Sequence, residues 1–318
     1  MAVVHVTRPG LLTTVQDRGR WGFQAFGVSV AGPMDRVSHR IANALAGNPA
    51  DAATIEITLV GPELVFEDER LVGVAGAEYE MTLDGQPVPP TGAFVVRPGA
   101  TLRFGRRVHS ARAYLAVSGG FDTPPVLGSR ATHLPSALGG LGGRALLAGD
   151  RLPCGAPMKR PPDAARARAL RDASLGAVPE GAVTLRVLPG PQSDRFTDDA
   201  LEALQSAPYR IAPSSNRMGF RLDGPLLTHT RGADVISDAT PLGALQVPAS
   251  GQPILLMADR QTSGGYPKLA TVITADIGLA GQLGPGDTIG FAVCSRGEAL
   301  TALIGQERRL MAVEAALR

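Results

Sequence analysis

Residues 257–270, MADRQTSGGYPKLA, place an acid, a base, an amide, hydroxyls, a phenol and a lysine between two apolar runs. Arg260 offers a planar fork for a carboxylate or a phosphate, Asp259 a base or a cation ligand, and Tyr266 a proton donor. Two adjacent glycines let the backbone approach a ligand closely. These residue types fit a site that binds an anion and moves a proton. The alternative is a β-hairpin in which Asp259 and Arg260 pair with each other.

A second polar stretch covers residues 13–36, TTVQDRGRWGFQAFGVSVAGPMDR. It combines glycines and the one tryptophan of the chain with amide, acidic and basic side chains, namely Gln16, Asp17, Arg18, Arg20 and Asp35. The same residues allow a structural interpretation, in which Asp17 and Arg20 form a buried ion pair that stabilises the first domain.

Common cofactor and metal motifs are missing from the sequence. The five histidines are scattered without an i, i+4 pair, so no metal site is predicted. No P-loop, dinucleotide-binding fingerprint or nucleophile elbow is present. The glycine-rich run GGLGGRALLAGD, residues 139–150, allows a phosphate cradle beside Arg144, but such glycines more often serve tight turns.

Composition excludes several classes of protein. The 318 residues carry a formal net charge of +2, and the 14 aromatic residues are not interleaved with basic clusters, so nucleic acid is not an expected partner. No apolar run approaches the roughly 18 residues of a membrane span, so no membrane association is expected. No secretory signal is visible, and two cysteines make no disulfide framework. These observations predict a cytoplasmic protein.

Short strands separated by turns must position the two polar stretches. The chain has 39 glycines and 26 prolines, and β-branched or alternating runs lie between them. The runs are ATIEITLVG, LVGVAG, AFVVRPG, ARAYLAVSGG, VTLRVLPG, PILLMADR, ATVITADIG and DTIGFAV. Helical patterns are few: MDRVSHRIANALAGNP, FTDDALEALQS with Thr197 as a candidate cap, and the C-terminal GEALTALIGQERRLMAVEAALR. The sequence predicts a mainly β protein built from barrels or sandwiches.

The composition shifts once, at residues 159–181, which are rich in Arg, Ala, Pro and Asp and lack a strand pattern. We interpret this segment as a linker between a first β domain, residues 1–158, and a second, residues 182–318, that ends in a helix. PGATLRFG at 98–105 and PGDTIGFA at 285–292 are similar to each other, which favours two related β domains.

Sequence blocks along nearly the whole chain resemble one family. They include TTVQDRGRWGFQAFGV, PMDRVSHRIANALAGN, LLAGDRL, LPGPQSDRF, SSNRMGFRL and GALQVPASGQPILLMADRQTSGGYPK. They resemble the allophanate hydrolase subunit 2 family, which includes the C subunit of 5-oxoprolinase and the carboxyltransferase part of urea carboxylase. The resemblance implies two cyclophilin-like β-barrel domains with a few short helices. One block departs from the family pattern, because GVSVAGPMD has Ser29, Ala31 and Pro33 where relatives have Pro, Ser and Ala.

The resemblance also implies which residues line a shared polar site. Asp259, Arg260 and Tyr266 are expected to be catalytic. The residues expected to bind substrate are Gln16, Asp17, Arg20, Asp35, Asn216, Arg217, Gln246, Gln261 and Thr262. Physical chemistry suggests a division of labour in which Arg260 or Arg217 holds a carboxylate or phosphate, Gln246 and Gln261 bind an amide, and Asp259 or Tyr266 moves protons.

Three functions are compatible with the resemblance. The first is one component of ATP-dependent 5-oxoprolinase, which opens the lactam of 5-oxoproline to glutamate. It would work with a cyclophilin-like B subunit and a separate A subunit, sharing ATP and Mg²⁺ with them. The second is a carboxyltransferase that acts on urea or a similar amide with biotin; the chain has no biotinyl module of its own, so a separate carrier would be needed. The third is a non-catalytic regulator that binds an inhibitor of a sensor kinase. We favour the first.

Overall fold

The computed structural model describes residues 2–157 and 183–317. The predicted linker, residues 159–181, lies outside the described residues. The described residues form two compact units, and neither is one continuous segment. The first consists of residues 2–20, 31–157 and 307–317, and the second of residues 21–30 and 183–306.

The first unit contains one sheet, which has nine strands in the described part of the chain. The strands are β1 (Val3–Arg8), β2 (Leu12–Gln16), β3 (Thr54–Thr58), β4 (Glu63–Phe66), β5 (Arg70–Leu83), β6 (Gln86–Val88), β7 (Gly92–Val96), β8 (Thr101–Val117) and β9 (Arg151–Pro153). The order β2-β3-β8-β4-β1-β9 forms the main path, and β5 pairs with β6, β7 and β8. All of these pairs are antiparallel.

Both faces of this sheet are covered by apolar side chains. One face forms a core with Ile55, Val74 and Leu115, as the alternation of β3, β5 and β8 requires. The other face packs on helix α1 (Arg36–Leu45) through residues such as Tyr114 and Ala116. The sheet therefore gives the unit a rigid centre, with the predicted site residues placed in its loops and at the start of α1.

The second unit contains a closed barrel of seven strands within the described residues. These are β10 (Val183–Pro189), β11 (Tyr209–Ile211), β12 (Gly219–Asp223), β14 (Ala244–Gln246), β15 (Ile254–Leu256), β17 (Lys268–Val272) and β18 (Thr288–Val293). The order around the barrel is β10-β17-β14-β15-β12-β11-β18, and the parallel pair of β10 and β18 closes it. Closure leaves the barrel strands without a free sheet edge.

A separate two-stranded sheet belongs to the same unit. It pairs β13 (Asp238–Ala239) with β16 (Ser263–Gly264), so that Asp238 lies opposite Gly264 and Ala239 opposite Ser263. Because β16 lies inside the polar stretch between β15 and β17, this small sheet holds that stretch against the segment that precedes β14.

Helices are few, as the sequence predicts. Besides α1 they are α2 (Ala200–Ser206), α3 (Ile277–Gly281) and α4 (Arg296–Leu317). No helix among the described residues combines the length and the apolar character needed to cross a membrane.

The structure confirms the predicted mainly β fold and corrects two details. Asp199, not Thr197, is the N-cap residue of α2, and its side chain makes no capping hydrogen bond. The run ATVITADIG is not one strand, because β17 ends at Val272 and the chain continues as a 3-10 turn and α3. The carboxylate of Asp276 explains this turn: it accepts from Arg186 through both the backbone N–H and the guanidinium, which holds the chain end at β10.

Candidate functional site

A buried ion pair anchors the loop that follows β15. The guanidinium of Arg217 donates through Nε to Oδ2 of Asp259 and through Nη2 to Oδ1, each at 3.0 Å. The two side chains are only 4% and 1% exposed. The backbone N–H of Asp259 also donates to the carbonyl of Arg217 at 2.8 Å. A planar fork facing a carboxylate is the strongest geometry for such a pair, so Arg217 and Asp259 fix the start of the polar loop.

Arg260 is held by backbone carbonyls. Its Nε donates to the carbonyl of Thr240 at 2.8 Å, and its Nη1 makes a longer contact with the carbonyl of Met257 at 3.4 Å. Its own carbonyl accepts from Oγ of Ser29 at 2.7 Å. The carboxylate of the neighbouring residue, Asp259, faces Arg217. Ser29 thus supports the loop that carries Arg260.

Two glutamines meet beneath the small sheet. Nε2 of Gln261 donates to Oε1 of Gln246 at 3.2 Å, and Nε2 of Gln246 lies 3.4 Å from the carbonyl of Tyr266. Gln246 is buried, whereas Gln261 is exposed. A Cβ added at Gly264 would lie 2.7 Å from Nε2 of Gln246, which is closer than real Cβ contacts allow. An alanine at this position would therefore displace the end of the Gln246 side chain.

Further hydrogen bonds close this part of the site. The hydroxyl of Thr240 donates to the carbonyl of Gln261, and the N–H of Thr240 donates to the carbonyl of Thr262 at 3.2 Å. The phenol ring of Tyr266 is 42% exposed. The side-chain oxygen of Asn216 accepts from the N–H of Met218 at 2.8 Å, which forms a turn just before β12. The second unit therefore brings the polar loop, the glutamine pair and the Asn216–Arg217 turn into one part of the barrel.

In the first unit, Gln16, Asp17 and Arg20 bind the segment 126–132. Nε2 of Gln16 donates to the carbonyl of Thr132 at 3.1 Å. The carboxylate of Asp17 accepts from the hydroxyl of Ser129 at 2.6 Å and from the N–H groups of Gly19 and Arg130. Arg20 is fully buried and donates to the carbonyls of Val126 and Ala131 at 2.9 and 2.8 Å. Through these contacts the three side chains order the segment 126–132.

Asp35 is the N-cap residue of α1. Its Oδ1 accepts from the N–H groups of Val37 and Ser38 at 2.9 and 3.1 Å, as a capping carboxylate does. Its own N–H donates to the hydroxyl of Tyr114 at 2.8 Å, and that hydroxyl donates to Oε2 of Glu56 at 2.7 Å. Burial, together with the nearby carboxylates, raises the pKa of Tyr114 well above its ordinary value, so the phenol stays protonated.

His39 is a buried imidazole beside this network. It is 1% exposed, and its ring meets that of Tyr114 edge-on with centroids 6.1 Å apart. Burial lowers the pKa of His39 to about 4, although the negative charge of Asp17 partly opposes the shift. Its Nε2 and the Oε1 of Gln16 have no hydrogen-bonding partner among the described residues. His39 is therefore neutral at physiological pH.

The predicted site residues thus fall into two sets. Gln16, Asp17, Arg20 and Asp35 lie in the first unit, while Asn216, Arg217, Gln246, Asp259, Arg260, Gln261, Thr262 and Tyr266 lie in the second. The sequence reasoning did not assign site roles to Glu56, His39, Tyr114, Thr240 and Lys268. One signal was visible: Glu56 is a charged residue inside the apolar run TIEIT, and such a residue needs a buried partner.

Neither a metal cluster nor a phosphate cradle is visible among the described residues. No group of three His, Cys, Asp or Glu side chains in the described ranges could hold a metal ion. In the glycine-rich run, Gly139 and Gly143 pack against the backbone of residues 131 and 137, so these glycines serve tight turns. The guanidinium of Arg144 forms a bidentate pair with Asp150 at 2.7 and 2.8 Å. The phosphate-cradle alternative therefore has no support in the geometry.

The chain is similar to a family of carboxyltransferase domains and to subunits of 5-oxoprolinase. The family model described as "Carboxyltransferase domain, subdomain A and B" matches residues 26–293. The C subunit of 5-oxoprolinase from Escherichia coli strain K12 is 40% identical over 306 residues, which cover 96% of each chain. The protein of the same name from Haemophilus influenzae is 38% identical, and the match covers 90% of this chain and 89% of its own.

A solved structure is also similar. The urea amidolyase of K. lactis superposes with a TM-score of 0.90 at 31% sequence identity. The match covers 98% of this chain and 20% of the amidolyase chain.

Proposed function

The chain belongs to the family of carboxyltransferase domains with subdomains A and B, and on that premise we propose that it is the C subunit of an ATP-dependent 5-oxoprolinase. Such an enzyme opens the lactam of 5-oxoproline to glutamate. The observation that carries the proposal is the 40% identity that extends over 96% of both this chain and its E. coli relative. The match in length means that nearly every part of that relative has a counterpart here.

The site in the second unit offers groups that complement 5-oxoproline. The carboxamides of Gln246 and Gln261 provide both donors and acceptors for the lactam N–H and C=O. The guanidinium of Arg260 provides the positive charge for the carboxylate. These assignments use the polar cluster of the second unit as the binding surface.

Proton transfer is assigned to Tyr266 rather than Asp259. The phenol of Tyr266 is partly exposed and therefore accessible to a ligand. The carboxylate of Asp259 is buried and faces the fork of Arg217 through both oxygens. With both carboxylate oxygens engaged by this buried fork, we assign Asp259 a positioning role.

Partner proteins complete the enzyme in this proposal. Relatives with this name are one component of a larger 5-oxoprolinase. We assign the sites for ATP and Mg²⁺ to the complex that this chain forms with the A and B subunits. We propose that the chain forms a stable hetero-oligomer with the B subunit that buries more than about 1,600 Å² of surface.

Reconstitution tests the proposal directly. The chain, the A subunit and the B subunit are purified separately, and glutamate formation and ATP hydrolysis are measured with 5-oxoproline for each single protein and each mixture. We expect turnover only when all three are present, and we expect the chain to co-elute with the B subunit in size-exclusion chromatography with light scattering. Equal turnover by the mixture that lacks this chain would refute the assignment, as would full activity of this chain alone.

A second candidate function is carboxyl transfer to urea or a similar amide. The TM-score of 0.90 with a urea amidolyase favours it, although the matched region is only 20% of that protein. The discriminating assay supplies a carboxylated biotin carrier and urea in place of ATP and 5-oxoproline. Loss of the carboxyl group from the carrier, dependent on both urea and this chain, would support this candidate over 5-oxoprolinase.

A further inference from the structure

A buried lysine lies next to the glutamine pair. Lys268 begins β17 directly opposite Gln246 of β14, at a point where the register of the two strands shifts. Its side chain is 1% exposed, and its ammonium donates to Oδ2 of Asp238 at 2.9 Å. Fully buried lysines are rare and need a compensating partner, so the position of this ammonium depends on Asp238.

Asp238 belongs to the small sheet rather than to the barrel. It is the first residue of β13 and lies opposite Gly264 of β16. Its carboxylate also accepts from Nε2 of Gln192 at 3.2 Å and from the N–H of Ala239 at 2.7 Å. Oε1 of Gln192 in turn accepts from the N–H of Lys268 at 3.2 Å. The lysine ammonium is the main cause that lowers the pKa of Asp238, so the carboxylate is charged at neutral pH.

These contacts form a closed circuit of four residues. Gln246 lies beside Lys268 across β14 and β17, Lys268 binds Asp238, and Asp238 lies opposite Gly264 across β13 and β16. The backbone of Gly264 returns to the carboxamide of Gln246, where an added Cβ would be 2.7 Å from Nε2. Within this circuit the Lys268–Asp238 pair is therefore the ionic link between the small sheet and the barrel.

We propose that Lys268 and Asp238 act together as positioning residues: their ion pair clamps the β13–β16 sheet onto the barrel and sets the orientation of the Gln246 carboxamide that binds substrate. The clamp itself follows from the contacts of this chain, while its effect on turnover rests on the proposed function. Because Asp238 is 50% exposed, the clamp is accessible to solvent on one side.

Hydrogen exchange of backbone amides tests the clamp without any assay of activity. The variants are Lys268→Met, which keeps the length of the side chain and removes its charge, and Asp238→Asn. Either one is expected to accelerate exchange at the N–H of Thr240, which donates to Thr262 beside the small sheet, by about tenfold or more. The N–H of Leu222, which lies in the barrel wall, is expected to exchange at its original rate.

A matched control removes a different ion pair from the same barrel. Arg186→Met breaks the pair between Arg186 and Asp276, which are 42% and 4% exposed and lie on β10 and in the turn after β17. This variant should leave exchange at Thr240 unchanged. If Lys268→Met fails to fold, Asp238→Asn, on the half-exposed side of the pair, still decides the question. Unchanged exchange at Thr240, or equal acceleration at Thr240 and Leu222, would overturn the proposal.

Kinetics of the reconstituted complex separate the clamp from a general loss of stability. Each single variant is expected to raise the KM for 5-oxoproline by about 10- to 100-fold with a smaller change in kcat. The double variant should have a KM no higher than that of either single variant, because both substitutions remove the same contact. Additive losses would overturn the proposal. Altered exchange at Thr240 in a complex that never turns over 5-oxoproline would support the clamp and refute the proposed function.

Discussion

Asp259→Asn separates a structural role of this carboxylate from a catalytic one. The substitution keeps the size of the side chain but removes the negative charge that faces the Arg217 guanidinium. Because both side chains are nearly inaccessible to solvent, water cannot replace the lost interaction. Breaking a buried pair on one side costs about 3 to 5 kcal/mol, so we expect the free energy of unfolding to fall by that amount.

Urea denaturation, followed by the fluorescence of Trp21, measures the effect. Trp21 is the one tryptophan of the chain and lies in the same unit as Asp259. A loss of this size corresponds to a melting temperature lower by about 6 to 20 °C. Asp223→Asn is the control, because Asp223 is an exposed acid at the end of β12. A loss below about 1 kcal/mol for Asp259→Asn, as expected for a surface site, would refute the structural role.

The double variant Arg217→Met/Asp259→Leu extends the test. Replacing a whole buried pair by apolar side chains is often neutral or stabilising, so the double variant should recover most of the stability lost by Asp259→Asn. A double variant that is less stable than the single one would show that contacts other than the pair dominate at this position.

Three further predictions concern single residues. Burial lowers the pKa of His39 to about 4 from an ordinary 6.5, so the contribution of the neutral imidazole to stability is complete above pH 6.5 and is lost as the pH falls towards 4. Relative to His39→Gln, the free energy of unfolding of the wild-type protein should fall by about 2 to 3 kcal/mol between pH 7 and 4.5. Identical pH dependence of the two proteins would contradict this. Gly264→Ala should displace the Gln246 carboxamide and raise KM in the reconstituted enzyme, whereas Gly265→Ala, whose added Cβ meets its nearest atom at 3.3 Å, should have a much smaller effect. Arg260→Ala should lower kcat/KM by about 10- to 150-fold, as loss of a charged hydrogen bond does; a normal rate would remove Arg260 from the site.

The sequence predicts the class of fold and the position of the polar loop in the second unit. Alternating runs such as VTLRVLPG and DTIGFAV become barrel strands, because a period of two is enough to bury one face of each strand. The amphipathic pattern and the stop signal at residues 47–49 predict α1 well, and the structure places it at Arg36–Leu45. These features depend on local pattern, which the sequence carries explicitly.

The partners of the site residues could not be predicted in the same way. Arg217 and Asp259 are 42 residues apart, and they meet because β12 and β15 are neighbours in the closed barrel. Glu56 and Tyr114 meet across β3 and β8 for the same reason. Such pairs depend on which strands are adjacent, and neither composition nor spacing determines that order.

The hydrogen bond from Ser29 to Arg260 has a consequence for how the protein is made. The two residues are 231 positions apart in the chain, yet residues 21–30 belong to the second unit. At a translation rate of about 5 to 20 residues per second, Arg260 leaves the ribosome roughly 10 to 50 s after Ser29. During that interval the barrel that binds residues 21–30 is incomplete, and the last segment of the first unit, residues 307–317, is not yet made. Synthesis therefore leaves an apolar segment in the nascent chain that a chaperone could bind until the barrel closes.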